Sequence, residues 1–566
     1  MTRLTCVHAP TPAVACLATL AGLLGLLPAQ VIQTALAPIP INLTSDMAMH
    51  VANRATFGQT EALVTALTGS TNLATTWINS QLAPNFPADN LDVASLLALL
   101  NVPAAPIAVG ANHTFGQIKD GAHVYSAASD FQLAARMAYF WDRHFNTFGP
   151  FVSGYVTVVY GSGNPTEGEN ITSRLEWIDY EFYRQNGLGT FRDLARHTFF
   201  SPAMMIYLDT IVNQCNNVEP NENMAREFME LHTVGPVYAP TGVANYGTND
   251  IDTVAKVMAG WHLNGNGNGY AIPLVATFYP ALNCNFNTSI FGTPAIGAHQ
   301  AVSGPTAIDA LIDHLVASEA CKDFICRKLM NEFLGDGSDL VYPPLLTAMK
   351  NLWGTQGNLQ AVMGRLLKSG EFLAAGTKWT RAKTPFESAI SHMRMWNGSF
   401  KRPSNGALEA NRVTYLRNHT ENIGESLFGY PTPDGFDLES NHQPGSSVTL
   451  LTFRLFSESY YTKSVAVPPR LPYENTGGLA FALTTWVTAT LGAPANQDPI
   501  AIGTLFLTRA YGSKWTSTDL VAVSDSLSRD VNGALQPINP ANPNSYAERL
   551  GQGVMATMSM NQGLLR

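Results

Sequence analysis

The sequence predicts a mainly α protein, a large single helical domain with long loops and at most a few short strands. Three observations carry this expectation. Apolar residues recur at helical spacing in segment after segment, most clearly over Gln132–Phe148. Period-two alternation stands out only around Ala271–Tyr279. No stretch repeats at a fixed period, so solenoids and propellers are set aside. The chain has 566 residues, enough to bury one very large core. Residues 38–566 are read as that domain, with a subdivision placed near 465–480 where Pro and Gly gather.

The chain begins with Arg3, an apolar run from Ala13 to Leu27 and small residues at Ala29, Ala35 and Ala37. This pattern predicts a signal peptide over residues 1–37. The run is short of the ~20 residues needed to span a bilayer, and no later run is long enough. Only 13% of residues are charged, about half the ~25% of an ordinary globular protein. Net charge is -9, which leaves no basic stripe for phosphates and argues against nucleic acid as a partner. The protein is therefore expected to be secreted or periplasmic. Beyond the leader it carries Cys215, Cys284, Cys321 and Cys326, enough for one or two disulfides with three connectivities open. Cys321 and Cys326, five apart on one helix, should not pair with each other.

In chain order, Asp46–Leu67 reads as a helix pair turning at Gly58, followed by helices over Ser70–Leu82 and Asp92–Leu100. On Gln132–Phe148, at about 100° per residue, Met137, Phe140, Trp141, His144, Phe145 and Phe148 share one face, so His144 points inward. Gly161–Asn170 is a loop. Glu176–Tyr183, Phe191–Phe200 and Pro202–Asn213 are helices. Helices then recur over Asn221–Gly235, Asp252–Gly260, Thr306–Phe333, Pro343–Trp353, Leu359–Ser369 and Pro385–Met395. Beyond the turn Tyr430–Gly435 they recur over Ser447–Ser459, Ala480–Leu491, Ile500–Leu507, Asp519–Leu527 and Tyr546–Met558.

The densest chemistry lies in Asn221–Gly235. With Asn221 as N-cap, Glu222, Arg226 and Glu230 form an i, i+4, i+8 row of ion-pair partners. Met224, Phe228 and Leu231 lie opposite, Glu227 borders the apolar face, and His232 falls on it. A carboxylate and an imidazole at such a border suit general acid–base work. Glu227, Glu230 and His144 are the catalytic candidates. Asn223, Arg226, Arg143, His232, Trp261 and His262 are the positioning candidates. No HExxH or Glu-x-x-His spacing is present, so no metal ligands are assigned and no cofactor is named.

Several phrases resemble the bacterial domain-of-unknown-function 1800 family. They are Asn53–Gly58, Phe140–Phe145, Pro202–Met204 with Tyr207–Asp209, and above all Asn221–His232, followed by Gly260-Trp261. Arg327–Leu329, Lys383–Pro385 and Gly429–Pro431 with Asp434-Gly435 complete the series. The family usually carries Gly then Gln or Trp at the late turn, where this chain has Tyr430. A further Trp expected downstream is replaced by Phe436 or Leu438 nearby. The resemblance implies a secreted or periplasmic helical protein and supplies no activity. Three function classes stand. One is a hydrolase or lyase acting on polysaccharide or another envelope polymer through a carboxylate/His cluster. The others are a non-catalytic assembly protein with a secreted partner, and a metal-dependent oxidoreductase.

Overall fold

Side-chain caps start most of the helices. Thr44, Thr60, Ser70, Thr114, Thr190, Ser201 and Thr384 each accept a backbone N–H of the first turn, closing donors that the helix leaves open. The computed structural model describes residues 32–102, 113–160, 163–216, 219–264, 274–373, 381, 383–402, 405–422, 424–435, 483–530, 532–558 and 560. Residues 1–31 of the expected leader, the Ser447–Ser459 helix, Phe436, Leu438 and the subdivision near 465–480 lie outside them, whereas the last leader residues bond to the domain, Gln33 N donating to Val341 O at 2.9 Å and Ala37 N to Glu371 Oε1 at 2.7 Å.

The architecture is mainly α, as the sequence predicts. Among the described residues strands occur as four two-stranded antiparallel pairs: Asn42–Leu43 with Gly69–Ser70, Val237–Tyr238 with Val243–Ala244, Trp261–Asn264 with Val275–Phe278, and Asn287–Phe291 with Ala298–Val302. Helices Ser45–Ala55, Thr71–Leu82, Phe191–Phe200 and Pro385–Met395 fall where the apolar spacing places them.

Several expectations change: Pro202–Asn213 is a helix only over Pro202–Tyr207 with a short turn over Thr210–Val212, and the helix expected over Asp252–Gly260 runs over Thr248–Val257. Helix Pro165–Asn186 begins inside the expected loop, because Asn164 caps it and Pro165 sits where a missing N–H costs nothing. Helix Gln132–His144 stops four residues early, and a new helix, Gly149–Val159, follows. Thr306–Phe333 is two helices, Pro305–Ala317 and Glu319–Phe333, broken where Ser318 Oγ accepts from Cys321 N. Helix Phe115–Ala128 is announced by no clear apolar stripe, because it is buried almost all round.

One apolar core runs from Leu43 to Met558, with Trp141, Trp177 and Trp353 fully enclosed. Cys215 and Cys284 form a disulfide, and Cys321 and Cys326 are buried free thiols on one helix. Among the described residues no helix is long and apolar enough to cross a membrane.

Candidate functional site

The Asn221–Gly235 segment is not a uniform α-helix. Asn221 Oδ1 accepts from Asn223 N at 2.9 Å, and an α-helix runs only over Asn223–Glu227. Phe228–Thr233 then widens into a π-helix, in which Thr233 Oγ1 donates to Phe228 O at 2.7 Å. Such turns are frequent at functional sites. The charged row closes only in part. Glu222 and Arg226 pair at 2.8 Å on the surface, whereas Glu230 accepts from the Tyr246 hydroxyl at 3.3 Å. Asn223 Nδ2 donates to Asp209 at 3.4 Å.

Glu227 is partly buried. Burial, then Glu230 and Asp434, raise its carboxyl above the ordinary range against the opposing Arg226. Burial, Glu227 and Asp434 raise the Tyr207 phenol, whose hydroxyl donates to Pro431 O at 2.9 Å. Glu227, Tyr207 and the Asp434 turn thus form one electrostatic neighbourhood.

His232 turns inward, as its phase requires. It is fully buried, and burial and Lys328 push its imidazole down to about 3. Neither ring nitrogen has a hydrogen-bond partner among the described residues. Its backbone carbonyl accepts from His144 Nε2 at 3.0 Å. That bond fixes the His144 tautomer with Nε2 protonated, so Nδ1 is left as an acceptor. Lys328 Nζ lies 2.8 Å from that Nδ1. Burial, Lys328 and His232 hold His144 well below its usual value, so the ring is neutral. Burial and Arg143 bring the Lys328 ammonium down to about 8, although Asp434 opposes this. Among the described residues Lys328 makes no ion pair.

His144 and Lys328 line a cavity of about 220 Å³ together with Phe140, Arg143, Asn331, Glu332, Asp336, Arg381 and Asp434. Its floor is a buried charge network. Glu332 pairs with Arg136 at 2.5 Å, with Arg143 at 3.3 Å and with Arg381, while Arg136 also reaches Glu387 at 3.0 Å. Burial alone would raise the Glu332 carboxyl; Arg381, Arg143 and Arg136 outweigh it and hold it well below the usual range. Arg143 also lies over the Tyr139 ring at 4.2 Å. The Nε atoms of Arg143 and Arg381 have no acceptor among the described residues.

The Tyr430 departure has a structural account. Its hydroxyl donates to buried Glu425 at 2.9 Å, and its carbonyl accepts from Asn146 at 3.0 Å. Tyr430 is 5% exposed and is not among the residues lining the cavity.

The structure therefore brings His144 and Arg143 into one cavity and leaves Glu227 outside its lining, linked to it through the charge of Asp434. The other candidates go elsewhere. Arg226 is on the surface and Glu230 faces Tyr246. Trp261 is buried with its ring 4.8 Å from Phe200 and 5.3 Å from Phe278. His262 sits opposite Thr277 on its strand pair, 5.4 Å from the Tyr279 ring, and burial lowers its imidazole. Lys328, Arg381, Glu332 and Asp434 were not singled out as site residues from the sequence. The available signal was a Lys328/Glu332 pair four apart on a helix that buries most of its length. Two larger cavities, of about 410 and 570 Å³, contain none of the candidates. Among the described residues no three His, Cys, Asp or Glu side chains converge as a metal-ligand set.

Comparison with known proteins adds one match. A family model described as "Protein of unknown function (DUF1800)" matches residues 50–538. No curated protein and no solved structure matches the chain.

Proposed function

Because the chain belongs to the DUF1800 family, whose description carries no activity, its reaction must be read from the cavity, and we propose that it is an enzyme of the hydrolase or lyase class acting on an acidic polysaccharide or another envelope polymer. The lyase form has the better support. The carrying observation is the 2.8 Å contact between Lys328 Nζ and a His144 ring whose other nitrogen is committed to the His232 carbonyl. A lysine that deprotonates near neutral pH, held by a neutral imidazole, suits removal of a proton from carbon.

In this reading Lys328 takes the proton next to a substrate carboxylate, and His144 positions it. Arg143 and Arg381 offset the charge that builds on that carboxylate. Glu227, outside the lining but with a carboxyl raised by burial, Glu230 and Asp434, is assigned the proton for the departing oxygen. The cavity opens to solvent, so one unit of a polymer can enter it while the rest of the chain stays outside. Secretion or a periplasmic location is supported by the Cys215–Cys284 disulfide and the N-terminal pattern.

The test is incubation of the purified protein with uronate polymers, following the ultraviolet absorbance of the carbon–carbon double bond that elimination creates. Wild type should generate it, and Lys328→Met should lose it by at least ~10²-fold, the scale of a missing general base. A folded protein that generates none from any acidic polymer removes the lyase reading.

The assembly-protein alternative rests on a specific observation too. Glu332 holds three arginines from two separate parts of the chain, a buried brace that needs no reaction to explain it. Stability and activity of the same variants separate the two readings, as argued below.

A further inference from the structure

We propose that Lys328 is also a nucleophile, forming an imine with small 2-oxo acids whose carboxylate is taken up by Arg143 and Arg381. The inference uses the cavity of the reading above but not its chemistry. An amine can capture carbonyl compounds in a protein that cleaves no polymer.

Four observations carry it. Lys328 lines a cavity that solvent can fill, so a carbonyl compound can reach it. It is a partly buried lysine without a carboxylate partner among the described residues, and its hydrogen bond goes to an imidazole nitrogen instead. A lysine kept for structure normally ends on a carboxylate, as Lys350 does on Asp323 at 3.1 Å. Arg143 and Arg381 line the same cavity and set two guanidinium charges at it, although their Nε atoms are themselves enclosed. A planar carboxylate next to a carbonyl fits paired guanidinium donors and places the carbonyl carbon toward the amine. A depressed lysine beside other cations is the usual state of an imine-forming amine, and Arg143 contributes to that depression here.

The step balances within the site. The Lys328 lone pair attacks the carbonyl carbon, forming the C–N bond, and the C=O π pair moves to oxygen. His144 Nδ1 carries two protons in turn from the nitrogen to that oxygen: the first gives the carbinolamine, and the second lets the oxygen leave as water while C=N forms. The His232 carbonyl, already accepting from Nε2–H, supports the transient imidazolium. No oxidant or reductant takes part.

The experiment is hydride trapping with pyruvate on the full-length protein. Cyanoborohydride converts any imine to a stable secondary amine, and peptide mass mapping locates it. The expected result is one dominant adduct on Lys328, formed at least tenfold faster than on any other lysine. Acetone, which offers the carbonyl without the carboxylate, should react at least tenfold more slowly. Lys328→Met should abolish the dominant adduct, and the wild-type map decides the question even if that variant fails to fold. Labelling spread evenly over surface lysines, no adduct on Lys328, or equal rates for pyruvate and acetone each overturns the proposal. None of these outcomes bears on polymer cleavage, which is read separately from its unsaturated product.

Discussion

Gly435 lies directly against the backbone of Arg143: a Cβ on Gly435 would stand 2.6 Å from the Arg143 carbonyl oxygen. The glycine also has φ +81°, a conformation that side chains rarely adopt. The contact clamps the Pro431–Asp434 turn onto the end of the Gln132–His144 helix, and so fixes where Asp434 meets the cavity. Gly435→Ala should cost about 1–3 kcal/mol of stability, from backbone strain and the clash together. Gly406→Ala is the control, since Gly406 also has positive φ (+71°) but no atom within 4 Å of an added Cβ. Denaturant midpoints of the two variants isolate the clash; equal losses would mean that the turn does not press on Arg143.

Lys328→Met separates catalysis from support. In the folded protein the ammonium is brought down to about 8 from 10.5. Near pH 7 the folded state therefore carries a charge it holds poorly, a cost on the order of 3 kcal/mol. Methionine of similar length removes that cost. The variant should melt at a higher temperature than wild type while losing the unsaturated product. A lysine kept for structure would give the opposite result, a lower melting temperature. Loss of function with gain of stability is the usual mark of a strained site.

The helices were legible in the sequence because apolar spacing and caps are local signals. Pro385–Met395 carries both, in Thr384 and its capping partner Glu387, and falls at the predicted residues. His144 could be placed on an inward face for the same reason. Its partner could not: Lys328 is 184 residues away, and no periodicity reports which helices pack together. The Asn221–Gly235 segment drew attention by its density of charge, and that signal proved mixed. Its surface pair, Glu222–Arg226, is of the ordinary i, i+4 kind, whereas its direct contact with a cavity residue is the His232 backbone carbonyl on His144. The π-turn that orients this carbonyl cannot be told from an α-turn by apolar pattern over six residues.

Glu332→Gln should be among the most destabilising single changes at this site. It leaves Arg136, Arg143 and Arg381 buried together with less negative charge to offset them. Breaking one side of a buried ion pair typically costs about 3–5 kcal/mol. Glu222→Gln removes an ion pair of similar length, 2.8 Å, from a surface where both side chains are more than a third exposed. It should change stability by no more than ~0.5 kcal/mol. Urea unfolding of both variants at one pH checks the contrast. Similar costs would show that the Glu332 brace is solvated.

The pH dependence of stability should show two opposing slopes. His232 is brought down to about 3 and His123 to about 4, in both cases by burial first. An unfolded chain protonates these rings below about 6.5, whereas the folded protein resists, so the unfolded state binds more protons. Their contribution is present above pH 6.5 and is lost as pH falls toward 4 and then 3. Asp142 acts the other way. Burial, then Asp179, push its carboxyl up to about 8 despite Arg143, so the folded state holds a proton that the unfolded chain releases near 4. Its contribution is full below pH 4 and is lost as pH rises to 8. Between 6.5 and 8 these histidines no longer titrate in either state; Asp142 and Glu176, both raised by burial, then carry the downward slope, which Lys328 and Lys383, brought down to about 8, begin to offset only near pH 8. Wild-type stability should therefore decline over that window by up to about 2 kcal/mol for each carboxyl, at 1.36 kcal/mol per pH unit for one proton. Asp142→Asn should lessen the decline while leaving the loss below pH 6.5 in place. Denaturant midpoints at pH 5, 6.5 and 8 decide the matter, and a decline that persists unchanged in Asp142→Asn assigns the proton to another group.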